Sequence, residues 1–410
     1  MTDSSNTSPQ LYSTEFISLI FILFFGFCNM SVFYSFYSYL ERLGIAAEWR
    51  GIVVGLEPMT AFFLRPAVSV FIHAGNALTF LRWSLILLPP ILCAYMVTTT
   101  LPGLVLLRIC HGAAFVTLVS AGMVLLVHFI PQEKSAQGFG IMSLSSLVPY
   151  TIAPILTEIA IRYFQNEAVI YALVSMMAIP GIILIFAAGS RIRNMVAHLN
   201  PGSRVRPSMA QLWQNIRQVP VVLVLIMNLL VFFVYAAMFY FMKTFVIEQG
   251  LGQHVGVFFA VSMLVMIIFR TGLGKWLDAV GKTGTLSVLA MILSVFFMML
   301  PGIDSLQKMI VSAVGYGVIM GCMLPLLNGL MFENSSRQFR GINSNLMFFM
   351  MDAGFFLCPM LMGGVLASGG TYTMLFTICA VISLGVVALT VWQGWWRSVH
   401  DAPNTGDNTD

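Results

Sequence analysis

Arg270-Thr-Gly-Leu-Gly274-Lys-Trp-Leu-Asp278-Ala-Val-Gly281-Lys282 joins two apolar runs, 254–276 and 283–301. Each run is about the 20 residues that a helix needs to cross a bilayer. The glycines allow close helix approach and a tight turn. The aspartate can pair with a cation or a helix terminus across a membrane rim. Working outward, ten further runs of the same kind appear, at 14–40, 49–72, 77–98, 102–129, 138–162, 167–189, 219–246, 307–332, 342–367 and 371–396. Twelve membrane spans are therefore expected. The first run is expected to stay as a span, because Met1 to Gln10 carries no basic residue and the run is too long for a signal core.

Composition points the same way. Of 410 residues, 59% are hydrophobic and 9% charged, against roughly 25% charged in soluble domains. So few charges cannot cover a water-facing surface, whereas lipid-facing helices need none. The six cysteines lie scattered in apolar stretches with no metal-ligand or disulfide spacing and read as buried thiols. If the N-terminus is inside, the inner loops carry Arg82, Lys134, Arg191, Arg193, Arg204, Arg206, Arg217, Lys275, Lys282, Arg337, Arg340 and Arg397. The outer loops then carry Arg42, Arg50, Arg162 and Lys308, so both termini are expected in the cytoplasm. The net charge of +4 thus sets topology and meets anionic lipid headgroups; nucleic acid is not the expected partner.

The chain also repeats. Arg65 and Arg270, Gly112 and Gly317, and Pro154 and Pro359 are each 205 residues apart in matching spans. An even number of spans per half makes the repeats parallel. The expected fold is all-α, with twelve transmembrane helices in two pseudo-symmetric six-helix bundles around a central cavity. Its parts are a tail at 1–13, a bundle at 14–189, a basic linker at 190–218, a bundle at 219–396 and a tail at 397–410.

The opening stretch resembles the signature of the major facilitator superfamily between the second and third spans of a half. The resemblance assigns Arg65, Arg270, Gly274, Asp278, Gly281 and Lys282 to a conformational rim motif. The first half departs from it: in Arg65-Pro66-Ala-Val-Ser69-Val-Phe-Ile-His73-Ala-Gly75, serine and histidine replace glycine and aspartate. Arg108-Ile-Cys-His111-Gly112 is similar to the superfamily's span-four motif. Arg340-Gly341-Ile-Asn-Ser-Asn345, Asp352-Ala-Gly354 and Pro359-x-x-x-Gly363-Gly364 look like the branch of opine-type metallophore exporters and sugar or drug efflux permeases.

Ionisable groups within spans are costly, so each is a candidate. Glu57 can carry a proton or bind a cationic substrate, or it can pair permanently with Arg50 or Arg108. Arg108 can bind a carboxylate, and His111, on the same helix face, can relay protons or simply pack. Asp352 lies near mid-span, where the repeat places Leu147, and serves either coupling or a hydrogen bond at the Gly354 crossing. Lys243 attracts an anion or snorkels to the interface. Glu158 and Arg162, four apart, read as an interfacial ion pair. Asn29 and Tyr34 are candidate cavity-lining groups, with Tyr316 and Asn328 as comparable ones.

The chain has no Gly-x-Ser-x-Gly, phosphate loop or His-Glu-x-x-His motif, so neither an enzyme nor an ATP-driven pump is expected, and no cofactor. The expectation is a secondary transporter in a bacterial inner membrane, monomeric in mechanism, moving a small organic molecule outward against protons. The alternatives are a proton-coupled importer of an organic anion and a non-transporting receptor or assembly protein.

Overall fold

The computed structural model describes residues 12–73, 75–126, 129–130, 135–198, 209–272, 280–336 and 339–400. Among them there are helices and turns and no strand. The first half holds α1 (Thr14–Ser31, continued by a 3-10 turn at Val32–Ser35 and by Phe36–Arg42), α2 (Ala47–Phe71), α3 (Ala77–Ala94), α4 (Leu101–Leu126), α5 (Ser135–Phe164) and α6 (Glu167–Ser175, resumed as Ala178–His198). A short helix, Met209–Ile216, precedes the second half: α7 (Val219–Glu248), α8 (Val255–Gly272), α9 (Lys282–Met299), α10 (Leu306–Glu333), α11 (Arg340–Ala367) and α12 (Tyr372–His400). Eleven of these are long and apolar enough to cross a membrane. The twelfth, α8, is shorter in the described residues, and its expected continuation falls on 273–279, outside them.

Local signals set several ends. Ser13 accepts from the Phe16 N–H at 3.2 Å and starts α1; Asn166 accepts from the Ala168 N–H at 2.9 Å and starts α6. Gly44 (φ +73°) and Gly250 (φ +74°) take the left-handed conformation that closes the turns after α1 and α7. The helix surfaces are apolar on both sides. On α9, Leu286, Ala290, Leu293 and Phe297 are buried, while Val288, Met291, Ile292, Val295 and Met298 are exposed at helical spacing. A helix greasy all round is stable only where its outer face meets hydrocarbon.

The repeat is visible as packing. A Cβ on Gly112 would stand 2.5 Å from the Glu57 carbonyl oxygen; one on Gly317 would stand 2.5 Å from that of Ser262. Position 262 is 57 shifted by the same 205 residues, so α4 crosses α2 as α10 crosses α8. The halves meet by the same rule. Gly51 of α2 lies against the Pro359 carbonyl and Gly363 of α11, and Gly256 of α8 lies against the Pro154 carbonyl and Ile155 of α5. Residues 51 and 256, and 154 and 359, are again repeat mates, which is what a two-fold pseudo-axis between the bundles requires. Small residues at both seams let the backbones approach, since lipid supplies no hydrophobic drive for helix association.

With six spans per half, the start of α1, the end of α6, the Met209–Ile216 helix, the start of α7 and the end of α12 share one end of the molecule, here the termini end. Residues 42–47 and 248–255 turn at the opposite, far end.

Candidate functional site

Among the described residues, most buried charges in the spans have a partner, and the partners differ from several that sequence suggested; Arg270 of α8 has no ion pair, and its Nε is buried without a hydrogen bond. Arg108 of α4 is fully buried. Its guanidinium donates to the Val54 carbonyl at 2.8 Å and the Val53 carbonyl at 3.3 Å, and it lies 3.6 Å from Glu57 Oε2. Phe33 and Phe36 of α1 cover it, with ring centroids 5.0 and 4.7 Å away. Of the two partners open to Glu57, the structure thus takes Arg108; Arg50 instead donates to Glu41 at 2.7 Å. His111 is fully buried against Phe33, with ring centroids 4.8 Å apart, and neither ring nitrogen has a hydrogen-bond partner.

Asp352 does not bond at the Gly354 crossing; Gly354 packs on the α7 backbone at Phe232 and Phe233. Asp352 forms a bidentate pair with Arg65, one arm of it Nη2 to Oδ1 at 3.0 Å, and the pair joins α2 of one half to α11 of the other. Arg65 entered the sequence reading as a rim residue, and the pairing could not be read because the two lie 287 residues apart. On α11, Asn345 is exposed and Asp352, seven residues on, is buried. Glu57 and Arg65 are eight residues apart on α2, about 12 Å along the helix, so the two ion pairs form one charged seam.

At the far end the expected Glu158–Arg162 pair is not formed. Glu158 accepts from Lys243 Nζ at 2.8 Å and from the Tyr34 hydroxyl at 2.7 Å, while Arg162 is exposed. Lys243 is 4% exposed and its ammonium faces the Tyr34 ring at 5.3 Å, so it does not snorkel. A buried ammonium needs a counter-charge, whereas an exposed guanidinium has water. This cluster spans α1 and α5 of one half and α7 of the other. Beside it Ser38 and Thr244 share a hydrogen bond of 2.9 Å, and the Tyr37 and Phe241 rings meet at 4.9 Å. These contacts and the two glycine seams close the far end.

Of the other predicted residues, Asn29 is buried but turns its amide to its own helix, donating to Phe25 at 2.8 Å. Asn328 is exposed. Gly281 stands at the N-cap of α9, and Lys282 donates to Glu333 at the end of α10 at 2.7 Å. Arg270 approaches Tyr235. Gly274 and Asp278 lie outside the described residues.

The candidates Tyr316 and Tyr34 meet in an aromatic chamber whose other walls the sequence did not single out as cavity-lining. Tyr235, Met238, Phe239, Phe259, Met263 and Tyr316 line a small pocket of α7, α8 and α10. The other half reaches it through Tyr34, edge-on to Phe259 at 5.2 Å, and Tyr150, edge-on to Phe239 at 5.4 Å. The Tyr240 and Tyr316 hydroxyls are buried without a hydrogen-bond partner. In this state the space is about 10 Å³, room for no more than a water; walls of this kind hold an apolar or aromatic group with a hydrogen-bonding edge once the bundles part. Tyr235, Phe239 and Tyr240 share α7 with Lys243, but nothing in their spacing says that α8 and α10 complete the wall.

Comparison with known proteins places these features in context. A family model described as the Major Facilitator Superfamily matches residues 19–359. Among solved structures, a mutant of the nucleoside transporter NupG superposes with a TM-score of 0.69 at 13% identity, covering 92% of this chain and 99% of that one. The human organic anion transporter MFSD10 (TETRAN) gives 0.66 at 12% identity, covering 92% and 100%. A second NupG structure gives 0.65 at 14% identity, covering 93% and 99%. No curated protein sequence matches the chain. At these identities the structural likeness bears on fold alone.

Proposed function

This chain belongs to the major facilitator superfamily and is an integral, multi-pass transporter of a small molecule; we propose that it exports that molecule in exchange for protons. The observation that carries the reading is the seam of Glu57–Arg108 and Arg65–Asp352. It holds two buried carboxylates, each beside a guanidinium: Asp352, paired with Arg65 of α2 across the two halves, and Glu57, on the same helix α2, paired with Arg108 within the first half. Protonating either carboxylate removes one charge of its pair. For Asp352 that changes the cost of parting α2 from α11, and for Glu57 it loosens the α2–α4 pair about two turns away on the same helix, so the proton acquires a differential affinity for the two conformations. Substrate enters the aromatic chamber from the termini end while the far end is closed, and leaves when the bundles rock. The excess of Lys and Arg at the termini end supports that end as cytoplasmic, in a bacterial inner membrane. The chain works as a monomer, with lipid headgroups meeting the basic linker at 190–218.

The test is proton movement in proteoliposomes that hold a pH-sensitive dye and are supplied with the exported compound. Wild-type protein is expected to move protons against substrate. Glu57→Gln and Asp352→Asn are each expected to lose at least nine-tenths of that coupled flux. Coupled flux left intact in both variants contradicts the assignment.

An importer of organic anions would need free counter-charges. Lys243 is held by Glu158 and Arg108 by Glu57, so that reading would rest on Arg270, whose Nε is buried without a partner on the side of Tyr235.

A further inference from the structure

Most of the buried polar atoms without partners in the described first half lie together, Asn29 Oδ1 and Arg82 Nε standing apart. Both ring nitrogens of His111 and Glu57 Oε2 are buried with no hydrogen bond, and Tyr171 Oη, Tyr95 Oη and Arg108 Nη1 have no well-formed one, Tyr95 facing Arg108 and Tyr171 facing Ser35. All but Glu57 surround Phe33, whose ring centroid lies 4.6 Å from that of Tyr171, 5.5 Å from Tyr95 and 4.8 Å from His111, and 5.0 Å from the Arg108 guanidinium. They continue one another. Glu167, buried in the first turn of α6 at the far end, pairs with the half-exposed Arg42. Tyr171 is one helical turn further along. Its ring is 5.8 Å from that of Tyr95, and the Tyr95 hydroxyl faces Arg108, which lies 3.6 Å from Glu57.

The other half shows that the fold does not demand this column. At the 205-residue offset, Glu57, Tyr95, Arg108, His111, Glu167 and Tyr171 become Ser262, Leu300, Ala313, Tyr316, Tyr372 and Phe376. Same-shaped packing positions are filled there without a carboxylate, guanidinium or imidazole. Buried polar groups in native proteins are hydrogen-bonded to protein or to internal water, and leaving one unsatisfied costs about 1–3 kcal/mol. Several together inside one bundle leave bonding capacity that internal water can meet when the packing around Phe33 opens.

We infer that protons reach Glu57 through the interior of the first bundle, from Glu167 at the far end by way of Tyr171, Tyr95 and His111, and not through the cleft between the halves. The inference rests on the proton-coupled reading above. At each step a hydroxyl, imidazole or water accepts a proton on a lone pair and releases one onward. The net change is one O–H bond lost by hydronium at the far end and one gained by the Glu57 carboxylate. Arg108 keeps its protons and compensates the charge of Glu57. The other charged or titratable groups facing Glu57 are Arg65 on its own helix and Asp352, and Tyr150 and Tyr240 from α5 and α7. The cleft route is blocked in this state by the Tyr34–Glu158–Lys243 cluster.

The test follows protonation of Glu57 by its carboxylic C=O infrared band after a pH jump on the purified, reconstituted chain, with no substrate needed. Glu57→Gln identifies the band by removing it. Tyr95→Phe and Tyr171→Phe keep ring size and packing, and each is expected to slow the rise of the band at least tenfold. Glu167→Gln at the entrance is expected to do the same, and Tyr34→Phe in the cleft to leave the rate within twofold of wild type. Wild-type rates in both column tyrosine variants, or slowing by Tyr34→Phe instead, overturn the route alone. A Glu57 carboxyl that never protonates in the wild type overturns the proton-coupled reading and the route with it.

Discussion

Arg108→Leu is expected to destabilise the protein by about 3–5 kcal/mol, because it leaves the Glu57 carboxylate buried without its counter-charge. The guanidinium also ties α4 to the α2 backbone through the Val53 and Val54 carbonyls and fills the space over Phe33 and Phe36. Leucine restores part of the volume and none of the charge. The measurement is denaturant unfolding in detergent micelles, run on Arg108→Leu, Glu57→Gln and the double variant. Most of the loss is expected to return in Arg108→Leu/Glu57→Gln, since no unpaired charge then stays buried. A double variant no more stable than Arg108→Leu alone would show that Arg108 acts through packing and the α2 carbonyls, not through Glu57.

Gly51→Leu is expected to hold the far end open and abolish transport. A Cβ at 51 would meet the Pro359 carbonyl and stand 2.9 Å from the Gly363 Cα, so backbone, and not a flexible side chain, must move. Overpacking of this kind costs about 1–3 kcal/mol, which corresponds to roughly a 5- to 150-fold shift between closed and open. Its repeat mate Gly256 has more room, with the Pro154 carbonyl at 3.3 Å, so Gly256→Ala is expected to shift the equilibrium less. The readout is the rate of cross-linking between cysteines introduced at Ser38 and Thr244, whose hydroxyls are 2.9 Å apart across the closed far end. Gly51→Leu should cut that rate at least fivefold; an unchanged rate means that the α2–α11 seam does not control closure.

The sequence carried the fold because membrane folding leaves a one-dimensional record. Each span is an apolar run, each turn a charged or glycine-rich gap, and the 205-residue offset announces a duplicated bundle. The Gly112/Gly317 and Gly51/Gly256 contacts then follow from symmetry. The ion pairs did not yield in the same way. Asp352 was picked out as costly and asymmetric, yet its partner Arg65 lies 287 residues away, and no periodicity links two helices from different halves. Glu158 was matched to Arg162 because i,i+4 spacing is the local rule. Lys243 won because it is buried at the meeting of three helices, a fact that depends on how α1, α5 and α7 rotate. The other walls of the aromatic chamber were hidden for the same reason. Rings at 235, 239, 259 and 355 are common membrane residues until tertiary packing turns them toward one space.

The claim that bears most on the biology is outward transport of a small molecule. Its most direct test is untargeted small-molecule profiling of cells and spent medium, comparing a strain overexpressing the chain with a strain lacking it. The account expects at least one compound enriched in the medium and depleted inside the overexpressing cells, with Gly51→Leu abolishing the difference. A compound that instead accumulates inside those cells and disappears from the medium would contradict export and make the chain an importer.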